Sequence, residues 1–138
     1  MLPVSINYLA VVGAFIASMI IGSLWYSPLL LGKPWMKLMK WDEKKMKDKP
    51  EGAGMSMVGM ALLSLLMAYI LAHFVDYVAA RSFLDAIILS IWLWLGFIVP
   101  TLASQSLFEK RPWGLFWISA AYYLVSLIVM STILTLWV

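Results

Sequence analysis

The residues best suited to chemistry sit late in the second apolar run: Tyr69, His73, Asp76 and Tyr77. On a helix, spacings of four and three put Tyr69, His73 and Asp76 on one face. His73 is the only histidine in the chain. An imidazole beside a carboxylate can act as a pH-responsive pair or pass a proton. Ionisable groups inside an apolar span are costly and often functional. Four crossings of a membrane would bring Asn7, Arg81 and Asp85 to the same boundary. Asn7, His73, Asp76 and Asp85 therefore form a candidate ligand or proton site. The plainer reading is a hydrogen-bonded cap close to headgroups and water.

Trp25, Tyr26, Ser27, Thr101, Ser104 and Gln105 form a second group, expected at the opposite boundary. They could line a cavity opening toward the cytoplasm. The plainer reading again is helix caps and interfacial anchors. Catalysis finds little to work with. One histidine and a few acids give no metal set, and no Ser-His-Asp order or Gly-rich phosphate loop stands out. Neither an enzyme nor a cofactor is expected. The ten methionines are scattered and read as packing residues.

These groups need elements to hold them, and composition says which. Of 138 residues, 64% are hydrophobic and only 12% charged. A soluble domain is nearer half apolar and a quarter charged, so this chain suits a surface that faces lipid. Eight Trp and six Tyr suit membrane boundaries. The chain has no cysteine, hence no disulfide and no thiolate chemistry. The net charge of +3 does not point to nucleic acid, because the basic residues gather at span borders.

Four spans are expected, at about 4–26, 55–78, 83–108 and 113–137. Together they make a single all-α domain, a transmembrane four-helix bundle. The first run lacks a basic leader and is too long for a signal core, so it reads as a retained span. Ala10, Ala14, Ser18 and Gly22 recur every fourth residue, a stripe for close helix packing or for self-association. Pro28 and Pro34 end that span. A helix is expected over 34–47, with Lys37, Lys40, Lys44 and Lys47 on one face and Trp35, Leu38, Met39 and Met46 opposite. Such a helix lies in the headgroup plane, with its lysines and Trp35 toward anionic lipid. Lys49 to Gly54 reads as a flexible breaker, and Ala79 to Ser82 as the turn of a tight hairpin. Pro100 should kink the third span, either as a fixed shape or as a hinge. The fourth span carries Ser119, Tyr122, Tyr123, Ser126, Ser131, Thr132 and Thr135 among aliphatic residues.

Orientation follows from charge. The first and third connections hold nine basic residues and the other side only Arg81. The positive-inside rule then puts both termini outside and the lysine-rich helix on the cytoplasmic face of the cell membrane.

The run Gly22-Ser23-Leu24-Trp25-Tyr26-Ser27-Pro28, followed by Gly32-Lys33 and Trp35, resembles the signature of a bacterial membrane-protein family, domain of unknown function 1761. Phe108-Glu109-Lys110-Arg111-Pro112, Tyr123-Leu124-Val125, Met130 and Trp137 are similar too. The resemblance covers nearly the whole chain. It implies a small integral membrane protein of about four helices, and no activity. The leading expectation is a transporter-like protein, or one that binds a small apolar or amphipathic molecule within the bundle. The alternative is an accessory subunit that docks on anionic lipid and on another membrane protein. A homo-oligomer through the Ala10–Gly22 stripe is a further expectation.

Overall fold

The computed structural model describes residues 4–27, 30, 32–38 and 50–137, and for 32, 35, 36 and 50–54 the backbone alone. The described residues are helical, with no strand among them. Helix α1 is Tyr8–Trp25, α2 is Gly32–Leu38 and α3 is Pro50–Tyr77. Helix α4, Phe83–Leu93, runs through a π-helical turn at Trp94–Ile98 into α5, Val99–Phe108. Helix α6 is Trp113–Leu136. Four helices are long and apolar enough to cross a membrane: α1, the Met55–Tyr77 part of α3, the continuous α4-to-α5 unit, and α6.

Where the helices begin differs from expectation in two places. The first starts at Tyr8, because the Asn7 side chain accepts from the amides of Leu9 and Ala10 and ends the extended segment before it. The second starts at Pro50, so the expected breaker is helical from that residue on. Proline suits a first turn, where its missing N–H removes no helical bond. Of the expected helix at 34–47, the structure describes Gly32–Leu38, and the rest lies outside the described residues.

The turn after α3 is a Schellman motif. Ala80 N–H donates to the Val75 carbonyl and Ala79 N–H to that of Asp76, both at 3.0 Å. Ala79 takes the left-handed position, with φ 55°. Ala80 and Val75 are both buried, which supplies the apolar contact that goes with the motif. Ser82 and Asp85 then form a capping box that starts α4. The turn is tight as expected, yet α4 packs chiefly on α6 rather than back on α3.

Helix α6 is the centre of the bundle. Half of its apolar window (50%) is buried, against 11% for the third span. It packs against α1, α3, α4 and the short helix α2. The small-residue stripe of α1 serves this packing, since Ala10, Ala14 and Ser18 are buried inside the chain. An oligomer through that stripe would have to displace the bundle's own helices. Short α2 lies over the start of α6. A Cβ on Gly114 would come within 2.7 Å of Leu38 Cδ1, so the two helices meet where no side chain intervenes. This contact puts α2 and the Glu109–Pro112 turn at one end of the bundle.

The outer surface is apolar all round. Ile16, Ile20, Leu62, Leu63, Trp92 and Phe97 are among its exposed side chains. Such a surface suits hydrocarbon, where helices satisfy their own backbone groups.

Ala79 holds a conformation that favours glycine. Ala79→Gly should stabilise the protein by about 1 kcal/mol, read as a rise in the thermal unfolding midpoint in detergent micelles. A lowered midpoint would contradict the role given to this turn.

Candidate functional site

Polar side chains gather in three zones: the two ends of the bundle and its middle. At the first end, Asn7 joins two helices. Its Oδ1 caps α1, accepting from Leu9 and Ala10 at 3.1 and 3.3 Å. Its Nδ2 donates to the Trp137 carbonyl, 3.2 Å away, just past the end of α6. Asp76 accepts from the Ser5 amide at 3.2 Å and faces Arg81 at 3.8 Å. Asp85 accepts from the amides of Arg81 and Ser82 at 3.0 and 3.2 Å. Each of these side chains fixes a chain end or a turn.

His73 stands apart from them. Its Nδ1 lies 2.9 Å from the Tyr69 carbonyl. A carbonyl only accepts, so Nδ1 carries the hydrogen of this bond. The ring packs edge-on against Tyr69, with centroids 4.7 Å apart, and is tilted toward Tyr77 at 6.4 Å. Among the described contacts, none joins His73 to Asp76 or Asp85. The four proposed site residues share one end of the bundle, but Asn7, Asp76 and Asp85 are engaged with backbone groups and Arg81 rather than with one another. No cluster of three or more His, Asp or Glu side chains could hold a metal among the described residues.

At the other end, Trp25 donates its indole N–H to the Ile118 carbonyl of α6 at 3.0 Å. The Tyr26 hydroxyl lies 3.5 Å from Ser119 Oγ. Ser27 turns back to the Leu24 carbonyl at 2.7 Å. Thr101 and Ser104 are exposed and donate to carbonyls of their own helical segment, Phe97 at 2.6 Å and Thr101 at 2.8 Å. Gln105 is half-buried on the same helix. None of the hydrogen bonds described for Trp25 and Ser27 goes to Thr101 or Ser104. Of the expected headgroup contacts, Lys37 is exposed on α2. The Trp35 side chain and Lys40, Lys44 and Lys47 lie outside the described residues.

The middle zone was not assigned any role from the sequence. Ser18 of α1, Ser64 of α3 and Tyr122, Tyr123 and Ser126 of α6 border a small, partly open cleft of about 50 Å³. The Tyr122 ring packs edge-on against Tyr26 at 5.5 Å and tilted against Tyr123 at 5.0 Å. Gly22 permits this: a Cβ there would meet the Tyr122 hydroxyl at 3.1 Å. The signal was present in the spacing of Ser119, Tyr122, Tyr123 and Ser126, which marks one face of a helix.

A larger space lies on the outside, between α1 and α3. It is a groove of about 430 Å³, lined by Tyr8, Val11, Val12, Leu62, Leu65, Leu66 and Tyr69. It rises to the Asn7 end, where His73 stands one turn beyond Tyr69. The inner cleft is too small for an organic ligand, whereas the outer groove has a volume within the ~300–1,000 Å³ usual for ligand clefts.

The helices and this arrangement define a class: all-helical proteins built from apolar spans of membrane length, with uncharged polar groups inside. Compared with known protein families, the chain matches a family described as protein of unknown function, DUF1761, over residues 9–135. It belongs to that family. No curated protein and no solved structure matches it.

Asn7 links two helix ends, so its loss should register in stability. Asn7→Ala should cost about 1–2 kcal/mol. Asn7→Ser, which keeps the cap but cannot reach Trp137, should cost less. Thermal unfolding of the two variants side by side tests the assignment: equal losses would show that the cap contributes nothing, and an unchanged Asn7→Ser variant would show the same of the reach to Trp137.

Proposed function

We propose that this protein is a multi-pass protein of the cell membrane that holds one single-chain amphipathic molecule against the face formed by α1 and α3. The apolar tail lies along Val11, Val12, Leu62, Leu65 and Leu66. The polar head sits at the boundary, beside Tyr8, Tyr69 and the ring of His73. The role is binding rather than catalysis. The observation that carries the reading is the groove itself, which is apolar along its length and runs toward an end where aromatic and imidazole groups meet.

In this reading the lysine-rich link faces the cytoplasm and both termini face out. Its support is the distribution of basic residues and the docking of α2 beside the Glu109–Pro112 turn. Lys37 and its neighbours in the link then meet anionic headgroups as an interfacial amphipathic helix. A second reading, an accessory subunit, draws on the third span. Trp92 and Phe97 stand 70% and 68% exposed there, a face that another membrane protein could cover.

A photoreactive single-chain fatty acid, added to the protein in bilayers, tests the groove. Adducts should concentrate on Tyr8, Val12, Leu62 and Tyr69. The double change Val12→Trp with Leu66→Trp should reduce them several-fold. Labelling spread evenly over all outward positions, and indifferent to the filled groove, would mean ordinary surrounding lipid. Orientation is tested independently, since the chain has no cysteine of its own. In intact cells an impermeant maleimide should label Ser5→Cys and spare Lys37→Cys until the cells are lysed. The reverse pattern would invert the topology.

A further inference from the structure

Several hydroxyl groups in this bundle bond back along their own helix, and Ser126, beside a cavity, has no such bond. Ser18, Thr101, Ser104 and Thr132 each donate to a backbone carbonyl three or four residues earlier. Ser90 does so too and also reaches the Leu127 carbonyl of α6 at 3.0 Å. This is the ordinary way for a helix in hydrocarbon to quiet a hydroxyl. Ser126 is 1% exposed and its Oγ has no hydrogen-bond partner among the described residues. Ser131 and Thr135 share that state, but neither borders a cavity described here. Ser126 borders the small, partly open cleft between α1, α3 and α6.

We infer that this space is a water site near the mid-depth of the bundle. Its volume, about 50 Å³, exceeds the ~10–15 Å³ that one water needs. A buried water also needs two to four polar partners. Ser126 offers a donor and two lone pairs, Ser18 Oγ keeps lone pairs after giving its hydrogen to Phe15, and Ser64 adds a third hydroxyl from the facing helix. Tyr122 and Tyr123 close one side and Met60, Leu63 and Met67 another. No charged side chain lines the space, so a neutral molecule suits it and an ion does not. The water ties three helices together at a depth where no headgroup reaches. The inference does not depend on the outer groove.

The test is water-edited solid-state NMR on the full chain in lipid bilayers. Magnetisation from water should reach Ser18, Ser64 and Ser126 several-fold faster than it reaches Ile16, an outward-facing neighbour of Ser18 on the same helix. Ser126→Val fills the space with methyl groups, and the fast transfer at Ser18 and Ser64 should vanish while the remaining spectrum persists. Should that variant not fold, Ser126→Ala, which keeps the space and removes the hydroxyl, should slow the transfer. Wild-type serines that receive water no faster than Ile16 would overturn the inference. So would transfer at Ser18 and Ser64 that is unchanged when Ser126 is replaced.

Discussion

Side chains from three directions place their hydrogens on backbone carbonyls of α6, and this constraint organises the bundle. Trp25 of α1 gives its indole N–H to Ile118. Trp94, in the π turn, gives its own to the Ala120 carbonyl at 2.7 Å. Ser90 of α4 donates to Leu127. Asn7 reaches the carbonyl of Trp137, immediately past the helix. A helical carbonyl has a second lone pair after serving its own ladder, so α6 accepts these donors without losing a helical bond. Apolar side chains do not discriminate between neighbouring helices and lipid tails, so packing and directed hydrogen bonds must select partners. The two tryptophans act at nearly the same level of α6, from opposite flanks. They set how far α1 and the third span stand from the central helix.

The π turn shows how a local irregularity is absorbed. Val99 gives its N–H to Trp94 rather than to Leu95, which an α-helix would require. Pro100 has no N–H for Gly96. Two carbonyls thus lose their usual donors in succession, on the span with the least burial. The Trp94 tie to Ala120 anchors the irregular turn at its start, and the Thr101 hydroxyl serves Phe97 just after it. With so few buried contacts, this stretch is where the bundle opens at least cost.

The apolar runs were legible because a stretch of about twenty residues without charge has few other fates. The family resemblance rested on Trp25 to Pro28 and proved sound over residues 9–135. The inward faces were harder to read. Helices α1, α3 and α6 are apolar on every side, so no periodic contrast marks the face that meets protein. The plainer expectation of a hydrogen-bonded cap fits Asn7, whose side chain caps α1, whereas the expected bend at Pro100 says nothing of the change of helical register before it. The pairing of His73 with Asp76 followed from spacing alone. Spacing could not reveal that the Ser5 amide and Arg81 engage the carboxylate, since those contacts depend on how the extended segment before α1 folds over the end of α3.

Placing the polar groups in three zones bears on what the bundle can carry. Every charged side chain described lies at an end, in α2, or in a turn, where water or headgroups can solvate it. The middle holds hydroxyls only. Moving an ion through that middle would require stripping its hydration with no opposite charge to replace it, a cost of several kcal/mol at the least. The interior as built favours neutral, hydrogen-bonding contents, and the outer groove favours apolar ones. An amphipathic occupant resting on α1 and α3 meets both conditions without entering the core. Under the proposed function, Tyr69 and His73 serve as an aromatic shelf at the boundary, where a polar head and an apolar tail can both be satisfied.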